Sequence, residues 1–160
     1  MQKFNAQAGA LPLSSKVSNV QEQEQTMIDA RTGTIQLTDN DAIIANVSRN
    51  DFDVAFPDAE IDWEHNTRAA LIVERFYDSG WRATLKLQFT EHKLTDVLMR
   101  VWDTNNVADK EHFHEQQSQV HAELLAEWLD GDAPYHYDWG VVQLLTDNPY
   151  STYFISVQYN

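Results

Sequence analysis

The residue types best suited to metal chemistry lie in one run, Glu111-His112-Phe113-His114-Glu115. On a helix, His112 and His114 would point roughly 200° apart and could not bind one ion. Glu111 and His114 have the Glu-x-x-His spacing of di-iron bundles, but those sites need a second such pair, and the sequence has none. We therefore predict no metal site and no cofactor. A metal-assisted hydrolase that uses Glu111, His114 and Glu115 is kept as an alternative.

Other chemical motifs are incomplete. Asp103-Thr104-Asn105-Asn106 begins like a calcium loop, but Ala108 stands where glycine is needed and His114 where the final glutamate is needed. The five glycines are too far apart for a dinucleotide fingerprint, a Walker loop or a serine-hydrolase elbow. The chain has no cysteine, which excludes a thiol nucleophile and a disulfide. These gaps favour a binding protein over an enzyme, without deciding the question.

The charge of the chain is concentrated in two segments. The net charge is −14, from 25 acidic and 11 basic residues. Residues 51–64 hold six acids and no base, and residues 109–138 hold eight acids and one base, so the two segments carry −6 and −7. Such surfaces repel nucleic acid and anionic membranes and attract basic proteins. We call residues 51–64 the acidic strand segment and residues 109–138 the acidic helix segment.

Ten residues in and near these segments are candidates for contact with a partner. Over residues 58–64 carboxylates alternate with apolar residues, so an extended stretch places all four carboxylates on one face and Trp63 on the other, towards the core. Three acids follow on one flank of a predicted helix, and an aromatic loop comes next, of a composition favoured at binding hot spots. A solvated face and a packed loop are the structural alternatives. The candidates are Asp58, Glu60, Asp62, Glu64, Glu123, Glu127, Asp130, Tyr135, His136 and Tyr137.

The elements that must position these residues are short strands and two helices. Ser48, Asp51 and Pro57 are typical of helix ends and predict a helix over about 49–55. Alternating apolar residues predict antiparallel strands at 69–77, 81–90 and 94–102, and an apolar stripe predicts a long helix over 107–130. Hairpins at 26–37 and 139–159 flank these elements, with a loop at 38–46. The predicted fold is α+β: an antiparallel sheet packed by one long and one short helix, in the order ββ-α-βββ-α-ββ.

Length and composition indicate one domain. A chain of 160 residues fits a single domain, and no segment approaches the roughly 18 apolar residues of a membrane span. Residues 1–25 are polar and lack the continuous apolar core of a signal peptide, so we expect a flexible tail followed by a single α+β domain at 26–160. We expect a soluble protein of the cytoplasm.

Three stretches of the sequence carry a resemblance. They are residues 32–37, residues 48–52 running to 56–59, and residues 121–125 continuing into 137–140 and the final hairpin. Together they span most of residues 27–160, and they resemble an uncharacterised family of small acidic bacterial proteins of accessory or immunity type. The resemblance implies an interaction role and supplies no site residues.

The leading hypothesis is a protein–protein interaction module. It would bind a basic protein partner through its acidic surfaces, as an immunity protein binds a cationic toxin. The alternatives are the metal-assisted hydrolase and a structural or envelope-associated module. The sequence leaves the oligomeric state open.

Overall fold

The computed structural model describes residues 27–109, 111–147 and 152–160. Nearer the N-terminus it describes the backbone of two short strands, β1 (Phe4–Asn5) and β2 (Leu11–Pro12), which pair antiparallel. The rest of the predicted tail at 1–25 lies outside the described residues, as does the centre of the last predicted turn, and both stay predictions.

From residue 27 the elements follow the order ββ-α-ββββ-α-βββ, which confirms the predicted α+β class, with nine strands among the described residues where seven were predicted. The strands are β3 (Ile35–Gln36), β4 (Ala42–Ile43), β5 (Glu60–His65), β6 (Arg68–Phe76), β7 (Trp81–Thr90), β8 (Lys93–Asp103), β9 (Tyr135–Tyr137), β10 (Gly140–Asp147) and β11 (Thr152–Tyr159). The helices are α1 (Arg49–Ala55) and α2 (Phe113–Trp128). Seven strands form one antiparallel sheet in the order β5-β6-β7-β8-β11-β10-β9, and its edge strands, β5 and β9, are not among the predicted strands.

The predicted hairpin at 26–37 is present as a tight turn. Ile28 bridges Ile35, and Gly33, with φ of +78°, donates its N–H to the Asp29 carbonyl at 2.8 Å. β3 then pairs with β4, inside the segment that the sequence predicts as a loop. A strand of two residues has too little alternation to be recognised from its pattern.

The helix predicted at 49–55 has those bounds. The Ser48 hydroxyl accepts a hydrogen bond from the Asp51 N–H at 3.1 Å, as an N-cap does. Phe52 and Phe56 are buried with ring centroids 4.8 Å apart, and Phe52 lies 5.3 Å from Phe89 of β7. These contacts attach α1 to one face of the sheet.

That face, the core face, carries most of the buried residues. Alternate positions of β6, β7, β8, β10 and β11 point into it, and both helices add apolar side chains to the same cluster. The opposite, outer face is covered by neither helix. The core-face strand residues include Leu71, Val73, Leu85, Leu87, Phe89, Val97, Met99, Val101, Val142, Ile155 and Val157.

The long helix is shorter than predicted. It begins at Phe113 instead of residue 107 and ends at Trp128 instead of residue 130. Asp109 accepts from the His112 N–H at 3.0 Å, and the Gln116 side chain accepts from the Ala108 N–H at 2.7 Å. These side chains satisfy backbone groups in a turn and so compete with helix formation. No helix in the described part of the chain is long and apolar enough to cross a membrane.

Candidate functional site

The four carboxylates of the acidic strand segment do not share one face. Glu60 pairs with Ile72 and lies on the outer face, and a bulge between Ile61 and Trp63 inserts one extra residue, Asp62. One extra residue reverses the alternation that follows. Trp63 therefore lies on the outer face with Glu60, 39 % exposed, with the Arg68 guanidinium 5.7 Å from its ring centroid. The predicted common face of the carboxylates, and the core position of Trp63, are both wrong.

Basic residues neutralise most of this segment. Salt bridges join Asp58 to Arg75 at 2.7 Å, Asp62 to Lys86 at 3.1 Å, and Glu64 to Arg49 at 2.8 Å. The hydrogen bond from Arg75 lowers the pKa of Asp58 below its ordinary value. Arg49 also pairs with Asp53 at 3.1 Å. Among the described residues, Glu60 alone of the four predicted carboxylates shows no such pair.

The acidic helix segment differs. All eight of its carboxylates are exposed, and within the described chain Glu123, Asp130, Asp132 and Asp138 form no salt bridge with lysine or arginine. Glu123 and Glu127 are four residues apart and Asp130 follows three later, so they lie on one flank of α2 and its C-terminal end. Negative charge is thus retained at this end of the molecule.

The aromatic residues predicted to bind a partner form the edge strand β9 instead of a loop. Tyr135 faces the core, 6 % exposed, and its hydroxyl donates to the Gly131 carbonyl at 2.8 Å. His136 is exposed, and half-buried Tyr137 stacks on Trp139 with ring centroids 5.1 Å apart. Burial removes Tyr135 from the surface, so His136 and Tyr137 are the two that can be contacted.

The loop carboxylates lie close to these tyrosines. Burial raises the pKa of Tyr137, and the charge of Asp130 raises it further. Burial and the charge of Asp132 raise the pKa of Tyr135 in the same way. The C-terminal end of α2 and edge strand β9 are therefore neighbours, with Tyr137 on the side of the helix and His136 on the other side of the strand. We call Glu123, Glu127, Asp130, Asp132, His136 and Tyr137 the acidic end.

The residues of the alternative hydrolase do not converge. Glu111 precedes α2, His114 lies in its first turn with its ring 6.3 Å from that of Tyr153, and Glu115 is exposed. In the part of the chain that the structure describes, no group of three or more histidine, aspartate or glutamate residues could hold a metal ion. The geometry gives this alternative no support.

Sequence reasoning missed a group of arginines and aromatic rings on the outer face. The Arg82 guanidinium lies 4.8 Å from the Phe76 ring centroid and 5.1 Å from that of Trp102. Arg100 lies 5.9 Å from Trp102 and 5.8 Å from Phe154. The sequence does carry a signal for this group, because every second residue of these two strands is apolar and buried, and Arg82, Arg100 and Trp102 occupy the positions between them.

His121 was also missed. Strand β11 pairs with β8 only over residues 96–99 of β8. Just beyond this pairing, the Val101 N–H donates to the buried His121 Nε2 at 3.1 Å. Burial is the main cause that lowers the pKa of His121 to about 4, so the ring is neutral near pH 7. The histidine completes the hydrogen bonding of a strand edge and attaches α2 to the sheet.

Comparison with known proteins assigns no family. No protein-family model matches the chain, and neither does any curated protein sequence. A chain in the solved structure of Rhs1-CT in complex with cognate immunity protein RhsI1 is similar to it, with a TM-score of 0.47 and 14 % sequence identity. The similarity covers 83 % of this chain and 86 % of that chain.

Proposed function

We propose that the chain is a protein–protein interaction module that binds a basic protein through its acidic end. The observation that carries the proposal is the difference in charge neutralisation. Arginine and lysine pair with the carboxylates of the strand segment, whereas Glu123, Asp130 and Asp132 are exposed and have no such pair within the described chain. An immunity-type protein that blocks a basic toxin is the specific form of this proposal.

The two parts of the acidic end have different roles in binding. Unpaired surface carboxylates act through their summed field, which raises the association rate of an oppositely charged partner. Once contact is made, His136 and Tyr137 supply the aromatic area that is enriched at binding hot spots. A partner therefore has to present lysine or arginine around an apolar centre.

The test is co-purification from the source cells at low ionic strength. A variant with Glu123→Gln, Asp130→Asn and Asp132→Asn is compared with a matched variant that carries Asp39→Asn, Asp78→Asn and Glu91→Gln. Both lose three exposed charges. A stoichiometric basic protein should co-purify with the wild type and the matched variant and several-fold less with the first. The difference should shrink as salt rises, because surface charges are screened beyond about 8 Å at physiological ionic strength.

Two results would count against the proposal. One is equal recovery of the partner by both variants, which would make the acidic end a solvated surface. The other is the absence of any stoichiometric basic partner at low salt. A cytoplasmic location is part of the proposal, and recovery of the chain in the envelope fraction would favour the structural alternative.

A further inference from the structure

The outer face carries a surface unlike the rest of this acidic chain. We call Phe76, Arg82, Arg100, Trp102 and Phe154 the arginine–aromatic face. Its two guanidinium groups and three rings alternate in space, with each guanidinium within 6 Å of two ring centroids. Phe76 is 67 % exposed and Leu145, also on the outer face, is 37 % exposed. Arginine and aromatic residues together are the composition that interface hot spots favour.

The charge of Arg100 is not balanced within the described chain. Arg82 forms a salt bridge with Glu74 at 2.7 Å, whereas Arg100 is half-buried and forms none. The Nε atoms of both arginines are buried without a hydrogen-bond partner among the described residues. Burial, and the like charge of Arg82, lower the pKa of Arg100. A desolvated cation with an unsatisfied donor is unfavourable unless an anion joins it.

We propose that the arginine–aromatic face binds a protein segment that presents an aspartate or glutamate carboxylate between apolar side chains. The carboxylate would accept hydrogen bonds from Arg100, because the planar guanidinium matches a carboxylate in a paired geometry. The flanking apolar groups would cover Phe76, Trp102 and Phe154. This surface is distinct from the acidic end, and its ligand has the opposite charge.

Charge decides between a protein segment and the other occupants. A single-stranded nucleic acid could stack on the rings, but its phosphates would meet the field of a chain with net charge −14. Glu60 and Glu74 lie on the same face and would oppose phosphates directly. Two copies of the chain would bring −14 against −14, which disfavours self-association. A single carboxylate on an apolar segment brings one negative charge in place of many, so the repulsion is much smaller than for a nucleic acid or a second copy.

The experiment uses a blocked peptide that has one glutamate between leucines as the probe, titrated into the full chain by calorimetry. The negative field of the chain opposes this peptide, so binding has to arise at the arginine–aromatic face. We expect the glutamate peptide to bind and a leucine–glutamine peptide to bind about tenfold more weakly. Arg100→Gln should weaken binding of the glutamate peptide by about tenfold, whereas Arg31→Gln, which removes an exposed arginine elsewhere, should leave it unchanged.

A urea melt shows whether Arg100→Gln folds; if it does not, Arg100→Lys replaces it, which keeps the charge but loses the planar fork and should weaken binding several-fold. The proposal is overturned if the peptide fails to bind at about millimolar concentration, or if the folded variant binds as well as the wild type. Tighter binding of a blocked oligouridylate than of the peptide would assign the face to nucleic acid. A wild-type dimer in sedimentation that Arg100→Gln converts to monomer would assign it to a second copy.

Discussion

The acidic strand segment and the acidic helix segment carry nearly the same charge along the chain, −6 and −7, but their surroundings differ. The strand segment runs along β5 and α1, where Arg49, Arg75 and Lys86 lie opposite its carboxylates. The helix segment follows one flank of α2 and a loop, away from the strands that hold most of the arginines. Charge counted along the chain therefore does not give the charge of the surface, because sheet pairing brings bases to one segment and not to the other.

The largest expected contrast concerns the tryptophans of the two segments. Trp128 of α2 is 6 % exposed in the core, whereas Trp63 of β5 is 39 % exposed on the outer face. Trp128→Ala should lower the free energy of unfolding by roughly 3–5 kcal/mol, since it leaves a large cavity. Trp63→Ala should lower it by about 1 kcal/mol or less, because only a surface stacking contact is lost. Urea melts of both variants measure this, and equal losses would contradict the placement of Trp63.

His121 of the helix segment should make the free energy of unfolding fall in acid. Its pKa is about 4 in the fold against an ordinary 6.5, with burial as the main cause. Between these values the unfolded chain binds more protons, so the free energy of unfolding falls as pH drops from about 6.5 towards 4, by about 3 kcal/mol at most. His121→Gln should lose this slope. Urea melts at pH 7 and pH 5 test it, and an unchanged slope in the variant would show that another group titrates.

A smaller effect is expected at Arg75, which holds the strand segment to the body of the sheet. Its side chain is 14 % exposed and bridges Asp58 at 2.7 Å and Asp41 at 3.0 Å. Arg75→Gln should lower the free energy of unfolding by about 1–2 kcal/mol at pH 7, since two carboxylates lose a charged donor. Asp130→Asn, in the helix segment, is the matched control and should lower it by less than about 0.5 kcal/mol.

The effect of Arg75→Gln on stability should also depend on pH. Arg75 lowers the pKa of Asp58 from its ordinary 3.8, so the stability from this pair is present above that value and is lost as pH falls through the lowered pKa. The difference between wild type and Arg75→Gln should therefore shrink in urea melts below about pH 4. A difference that persists undiminished in acid would mean that packing of Arg75 on Phe56, and not its charge, stabilises the fold.

Local patterns in the sequence predicted most of the fold. The cap at Ser48, the alternation of β7 and the apolar parity of β11 are decided by neighbouring residues, and those elements are confirmed. Failures came where distant residues decide. The bulge at Asp62 depends on pairing with β6, and the late start of α2 depends on Gln116 reaching back to Ala108. Neither has a periodic signal.

The candidate site was also predictable where neighbouring residues decide the structure, and not where distant residues do. Exposure of Glu123 and Asp130 could be predicted, because their positions on the polar flank of a helical stripe follow from its period. Burial of Tyr135 and the grouping of Arg82 with Arg100 could not, since both depend on the order of strands in the sheet. The roles of these residues in binding stay predictions.

The smallest expected effect comes from neutralising whole segments. From the sequence, replacing Asp58, Glu60, Asp62 and Glu64 by their amides should slow association several-fold and leave stability unchanged or improved. The salt bridges of these residues lead us to expect the opposite in both respects. Three of these carboxylates are in salt bridges, each contributing about 0–1 kcal/mol, so the free energy of unfolding should fall by about 1 kcal/mol and the association rate should change little.

Replacing Glu123, Asp130 and Asp132 should instead slow association several-fold at low salt. It should also leave stability unchanged or raise it by a few tenths of a kcal/mol, because it relieves repulsion between like charges. Urea melts and association rates against ionic strength, measured with the purified partner, decide the comparison. If the strand variant slows association more than the helix variant does, the partner binds along β5, and the neutralised segment is the functional one.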